Sequence, residues 1–320
     1  NFDNRSALGE NDTLFVDLSR MGENLTANGV TANTTGKHGK ALHFDGINDL
    51  VNASSQSTTF NFTGDFSVGI WVNYNSIDAG VNALIGAGRC ADAPDGEISW
   101  LIYNSNSNLI FYKYDGATTS KSVSWNPSAE RWYHIMAVRS GDNLNFYVNG
   151  TKHGATQDVS GVNYNLQNTN SQAIHLGYLE TGDGCTSVIY YLDGMLDDAL
   201  VLNRSLSAAE VSQLYMTSFT KFNSTHWELY ANQSNASTSG LVDATYTYSA
   251  HALDTFGNRN QTEERTVTVD TTAPGFNNVT TNGSLSKKDG NATYNATFTD
   301  AFGLSYFTFS WNGTGSWDNL

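Results

Sequence analysis

Apolar and polar residues alternate with a period of two from residue 41 onward, and turn residues interrupt the pattern about every 8–12 positions. In the stretch 65–74, Phe66, Val68, Ile70 and Val72 fall on one face of an extended chain. Segments 97–103, 108–114, 132–139, 143–148 and 196–202 read the same way. Short strands following one another with no helix between them predict an antiparallel β-sandwich. Asp45-Gly46, Asp115-Gly116, Asn149-Gly150 and Asp193-Gly194 supply positive-φ positions at strand ends. One helix signal stands apart. Ser207-Ala208-Ala209-Glu210 is a capping box, with Val211, Leu214 and Tyr215 following at helical spacing.

The polar share of the chain speaks to its compartment. Seventeen Asn-x-Ser/Thr sequons occur, at Asn4, Asn11, Asn24, Asn33, Asn52, Asn61, Asn149, Asn203, Asn223, Asn232, Asn235, Asn260, Asn278, Asn282, Asn291, Asn295 and Asn312. Chance pairing of its Asn with its Ser and Thr would produce about seven. The excess predicts N-linked glycans, and hence a secretory route to an extracellular, cell-surface location. The two cysteines, Cys90 and Cys185, sit in Gly/Asp-rich loops, and an even pair in a secreted chain predicts one disulfide. The net charge of −15 repels phosphate backbones, which argues against nucleic acid as a partner. No apolar stretch reaches the roughly 18–20 residues of a membrane span. Asn1-Phe2-Asp3 reads like the inside of a folded domain, so the chain is expected to be part of a longer protein.

Four motifs in order give the pattern a family likeness. The run Gly36-Lys37-His38-Gly39-Lys40-Ala41-Leu42-His43-Phe44-Asp45-Gly46 and the upstream Asp17-Leu18-Ser19 turn resemble the opening of laminin-G-like (concanavalin A-like) jelly-roll domains. The segment Trp132-Tyr133-His134-Ile135-Met136-Ala137-Val138, continuing to Phe146-Tyr147-Val148-Asn149-Gly150, is similar to that family's paired central strands. Leu192-Asp193-Gly194-Met195-Leu196-Asp197-Asp198 and the capped helix resemble its close. The resemblance covers 1–215. Beyond it, 216–272 resembles a short Ig-like module, ending in Asp270-Thr271-Thr272-Ala273-Pro274, and 273–320 the incomplete start of a second. The combination is similar to modules of archaeal and other prokaryotic surface glycoproteins.

The resemblance implies candidates for chemistry. Glucanases of the family carry alternating carboxylates on one strand, and Asp193 and Asp197 have that alternation. Met195 stands where the middle carboxylate belongs, so the chain is expected not to be an enzyme. A structural calcium of the kind such jelly rolls hold would draw on Asp17, Asp45, Asp183 and Asp197. Scattered histidines without short spacing argue against a zinc enzyme. Sugars stack on exposed aromatics of lectin-like sandwiches, for which Trp100, Tyr103, Tyr112 and Trp125 are the candidates, with core packing the simpler role of each one singly. The expected function is a structural or adhesive surface protein of a layer, stalk or filament, partnered by its own copies or other surface proteins. A calcium-dependent carbohydrate-binding module is the alternative.

Overall fold

A computed structural model describes residues 2–19, 21–33, 35–53, 60, 62–77, 80–89, 97–164, 174–181, 188–223, 226–231, 242–249, 251–253, 259–282, 293–306, 308, 310–311 and 318–319. The chain divides into two units, Asn1–Ala231 and Asn232–Leu320. Among the described residues, no helix is long and apolar enough to cross a membrane.

The first unit opens with β1 (Leu14–Phe15), β2 (Leu25–Asn28), β3 (Thr31–Asn33), β4 (Ala41–Asp45), β5 (Leu50–Ala53), β6 (Phe66–Tyr74) and β7 (Asn82–Arg89). It continues through β8 (Glu97–Ser105), β9 (Asn108–Tyr114), β10 (Thr118–Ser124), β11 (Trp132–Ser140), β12 (Asn143–Val148) and β13 (Thr151–Asp158). The hairpin β15 (Tyr178–Thr181) and β16 (Val188–Tyr191) follows β14 (Ile174–Leu176). The unit closes with β17 (Asp193–Leu202), α1 (Ala208–Met216) and the hairpin of β18 (Thr217–Lys221) with β19 (Trp227–Ala231). Two antiparallel sheets face each other, of order β1-β2-β5-β14-β7-β8-β9-β10 and β13-β12-β11-β6-β17-β4-β3. This is the expected antiparallel sandwich. The first unit runs past the expected boundary at 215 and takes in the β18–β19 hairpin.

Aromatic side chains from both sheets fill the core. Phe66 stacks on Phe62 at 4.6 Å between ring centroids and on Phe111 at 5.6 Å, and Tyr164 meets Phe111 edge-on at 5.3 Å. All nine residues of β6 are buried, a pattern that covering one face alone cannot produce. Phe66, Val68, Ile70, Val72 and Tyr74 enter the core, as the alternation predicts. The opposite row is buried because α1 and its neighbours lie on it. Val211 packs there with Met136, Val138 and Tyr147 of β11 and β12. Gly69 leaves room for this layer, since a Cβ on it would come within 2.8 Å of the Met136 side chain.

The capping box forms as the sequence predicts. The Ser207 hydroxyl accepts the Glu210 amide hydrogen, and the Glu210 carboxylate accepts from the Ser207 amide at 2.8 Å. Ser207→Ala is expected to destabilise the first unit by about 1 kcal/mol, read as a lower urea midpoint at unchanged slope.

The second unit is antiparallel β as well. Its strands β20 (Ala244–Tyr248), β21 (His251–Leu253), β22 (Arg259–Gln261), β23 (Arg265–Val269), β24 (Gly275–Asn282), β25 (Thr293–Thr299), β26 (Ser310–Trp311) and β27 (Asp318–Asn319) form pairs β20–β23, β21–β22, β24–β25 and β26–β27. Asp243, just before β20, ties the start of that strand to the turn after β23 by accepting from the Thr271 and Thr272 hydroxyls at 2.7 and 2.5 Å. Among its described residues, Val269 alone is buried.

Candidate functional site

The strand that resembles a glucanase's catalytic strand is β17. Its alternation places Asp193, Met195 and Asp197 on the face turned away from the core, while Leu196 enters the core. Exposure then separates the carboxylates. Asp193 is half-buried and accepts from Asn75 Nδ2 at 2.9 Å and Ser76 Oγ at 2.6 Å. Asp197 is completely buried, its two oxygens accepting the amide hydrogens of His38 at 3.0 Å and Asp198 at 2.8 Å. Burial, and next the charge of Asp198, push the Asp197 carboxyl well above the usual carboxylate range.

A bulge follows immediately. Register on β6 shifts between Asp197 and Leu200, and Asp198 takes a left-handed φ of 43° that costs energy for a residue with a Cβ. Its carboxylate accepts from His38 Nδ1 and from Ser218 Oγ, both at 2.9 Å. Burial alone would raise the Asp198 carboxyl, but the hydrogen bonds from His38 and Ser218 help hold it below its ordinary value. Around this pair lie Trp71, His134 and Tyr215, with Trp71 stacked on Tyr215 at 5.5 Å and 5.0 Å from His134. The whole cluster ties the β18–β19 hairpin to the sheet.

His134 gives the cluster a pH signature. Burial pushes its pKa down to about 4 from 6.5, His38 and Lys37 add to that, and Asp198 opposes it. A histidine lowered in the folded state is protonated first in the unfolded chain. Its stabilising contribution is therefore complete above 6.5 and is lost as pH falls toward 4. Asp197, raised by burial, acts in the opposite sense, and a single substitution at His134 leaves that contribution in place. In His134→Phe the loss of unfolding free energy on acidification is expected to shrink by up to ~3 kcal/mol, followed by urea melts across this range. An unchanged pH profile would count against the buried neutral imidazole.

The outer face of the eight-stranded sheet is built differently. On β8, Trp100 and Ile102 enter the core and Leu101 and Tyr103 face outward; on β9, Leu109 and Phe111 go in and Ile110, Tyr112 and Tyr114 go out. Register sets Leu101 beside Tyr112 and Tyr103 beside Ile110. Tyr103 and Tyr112 meet edge-on at 6.1 Å. Ala83, Ile98, Leu101 and Leu179 form a buried floor, on which Tyr103, Tyr112, Tyr114 and Tyr190 remain half-exposed. Burial pushes the Tyr103 phenol up to about 12, so its hydroxyl is a neutral donor at ordinary pH. The neighbouring strand β10 sets Ser122, Ser120 and Thr118 opposite Ile110, Tyr112 and Tyr114.

Further along the face, His175 lies over Gly86, where a Cβ would come within 2.7 Å of the His175 Nε2 atom. His175 Nδ1 donates to the Tyr178 carbonyl at 3.1 Å, and the Tyr178 hydroxyl donates to Asn52 Oδ1 at 2.6 Å. Rings with apolar faces beside a row of hydroxyls can stack on a pyranose and hydrogen-bond its hydroxyl groups.

Of the four aromatic candidates, Trp100 and Trp125 are core residues, as the simpler reading held, and Tyr103 and Tyr112 carry the outer face. Tyr114 was readable from the same alternation. Tyr190 was not, since it arrives from a hairpin folded back over β7.

The described members of the expected calcium set, Asp17, Asp45 and Asp197, do not form one group. Asp17 accepts from the Ser19 hydroxyl and the Glu23 amide, and lines a largely apolar cavity of about 700 Å³. Asp45 accepts the Ile47 amide hydrogen and pairs with Asp193 across β4 and β17. Asp183 lies outside the described residues, as do Cys90 and Cys185. Among the described residues, no group of three or more His, Cys, Asp or Glu is placed to hold a metal ion.

Among the sequons, Asn11, Asn203, Asn260, Asn278 and Asn295 are exposed, and Asn4, Asn24, Asn52, Asn149 and Asn223 are half-buried. Asn33 and Asn282 lie on strands, while Asn61, Asn232, Asn235, Asn291 and Asn312 fall outside the described residues.

Residues 45–212 match the family model of the concanavalin A-like lectin/glucanases superfamily. Comparison with curated protein sequences gave no match. Among solved structures, domain 4 of an extracellular arabinanase from Geobacillus stearothermophilus, in complex with arabinotriose, is 15% identical, with 64% of this chain and 97% of that one covered at a TM-score of 0.48. The botulinum neurotoxin serotype G binding domain is 19% identical over 62% of this chain, TM-score 0.45, and the match spans 47% of its own length, about half. A Trypanosoma rangeli sialidase is 13% identical, with coverages of 64% and 31% and a TM-score of 0.46.

Proposed function

The chain belongs to the concanavalin A-like lectin/glucanases superfamily through residues 45–212, and from that premise we propose that it is a non-enzymatic, adhesive cell-surface glycoprotein that binds a glycan. The binding surface is the outer face of the eight-stranded sheet. The observation that carries this reading is the set Tyr103, Tyr112, Tyr114 and Tyr190, half-exposed on a buried apolar floor beside the hydroxyls of β10. A flat face of this kind suits a run of sugar units along a chain. The complete burial of Asp197 supports the non-enzymatic part, because a general acid or nucleophile has to reach its substrate.

A glycan array probed with the whole chain, with calcium and with chelator, tests the proposal. Binding to neutral glycans is expected, and Tyr112→Ala should weaken it about tenfold, the scale of one lost aromatic contact with its buried area. Binding unaffected by Tyr112→Ala would remove the tyrosine face from the account. Loss of binding in chelator would assign a role to calcium.

A second reading, a structural subunit that assembles with its own copies, is favoured by a different observation. In the unit Asn232–Leu320, which we take as Ig-like, Phe276, Val279 and Tyr306 are 70%, 63% and 84% exposed. Large apolar side chains left in water in this way favour association. Light scattering across a concentration series separates the readings, since a monomer at all concentrations argues against assembly. Secretion and N-glycosylation, inferred from the sequons and placed on an archaeal or other prokaryotic surface, are checked by intact mass before and after deglycosylation.

A further inference from the structure

A second cavity, of about 480 Å³, lies on the other side of the sandwich, where the β18–β19 hairpin meets the segment before β4. Lys37, His38, Ser218, Thr220, Glu228 and Tyr230 contribute to its lining, together with Asp3 and Arg5. Every one of these residues belongs to the unit Asn1–Ala231. The volume is in the range that takes a small ligand, and one or two sugar rings fit it.

The charges of this cavity are unevenly committed. Arg5 is fully engaged, its guanidinium reaching Asp3 at 3.0 Å and Glu228 at 2.8 Å. His38 is held by Asp198. Lys37 is different. Its Nζ sits 4.6 Å from the centre of the Trp71 ring, and among the described residues no carboxylate lies within ion-pair distance of it. Burial lowers its pKa, as expected for an ammonium partly withdrawn from water without a counter-charge.

The remaining walls suit a sugar. Tyr230 is 53% exposed, with its ring tilted against His38 at 4.9 Å, so part of the ring stays open to a ligand. Thr220 offers a buried hydroxyl and Glu228 a half-exposed carboxylate, which between them can donate to and accept from sugar hydroxyls. The carboxylates of Asp3 and Glu228 disfavour a doubly charged phosphate, and the net charge of −15 disfavours a polyanion.

We propose that this cavity binds a carboxylate-bearing pyranose, a uronic acid or similar acidic sugar, with its carboxylate on Lys37 and its ring against Tyr230. It is a site separate from the tyrosine face, on the opposite sheet.

Calorimetric titration of the whole chain with glucuronate, and with glucose as the neutral control, tests this. Glucuronate is expected to bind, more weakly as salt rises, and glucose to bind at least tenfold more weakly. Lys37→Met should lose about tenfold in glucuronate affinity while its binding to neutral glycans stays as in the parent. Tyr230→Leu, on an exposed position, should also weaken glucuronate and carries the test if Lys37→Met fails to fold. Tyr112→Ala should leave the glucuronate isotherm unchanged. Equal binding of glucose, equal competition by inorganic phosphate, or loss in Tyr112→Ala with retention in Lys37→Met would each overturn the proposal.

Discussion

Trp71→Ala is expected to cost the first unit about 3–5 kcal/mol, among the largest losses any single substitution here would produce. Trp71 is 2% exposed on the far face of β6 and packs against several parts of the layer that covers it. His38 meets it edge-on at 5.6 Å, Tyr215 of α1 stacks on it at 5.5 Å, and the Lys37 ammonium rests over its ring. Removing the indole leaves a cavity between two layers that are pinned elsewhere and cannot close over it. Urea unfolding monitored on the first unit measures the cost. A loss below 1 kcal/mol would mean that α1 and the β18–β19 hairpin are held by something other than this ring. Because the tyrosine face lies on the opposite sheet, the affinity of the folded fraction for neutral glycans should not change.

His38→Leu is the second large effect, also about 3–5 kcal/mol, for an electrostatic reason. The substitution strips the largely buried Asp198 carboxylate of the hydrogen bond from the His38 ring and, among the described residues, leaves it the side-chain hydrogen bond from the Ser218 hydroxyl. A buried charge without compensation costs more than the pair itself contributes. The double variant His38→Leu/Asp198→Asn removes the charge along with its partner. It should recover much of the loss, giving a coupling energy of 1 kcal/mol or more in a double-mutant cycle. Strictly additive losses would show that the two side chains do not act as a pair.

The strands of the sandwich were legible because alternation is a local property. Phe66, Val68, Ile70 and Val72 share a face in the sequence and enter the core together in the structure. Ser207 and Glu210 announced α1 for the same reason, since a capping box is complete within four residues. The site was legible only in part. Spacing placed Asp193 and Asp197 on one face, but burial of Asp197 depends on His38, which is 159 positions away in the chain. Likewise Trp100 and Tyr103 look equivalent as aromatic strand residues until parity and the bulges of β8 decide which faces water. The opposed parity of Trp100 and Tyr103 was there to be read, whereas Tyr190 and Lys37 gain their surroundings from chain segments that no local pattern connects to them.

Full burial of β6 has an evolutionary consequence. The centre of the seven-stranded sheet, at β6, is enclosed on both sides, so a change on its outer row must satisfy a helix, a hairpin and the His38–Asp198 hydrogen bond at once. On the eight-stranded sheet, the tyrosines stand on an already complete floor, and exchanging one alters what the face can hold with little penalty to folding. Recognition can drift on one side of this sandwich while the other keeps the architecture constant. Descendants of such a chain could diversify their ligands far faster than their fold.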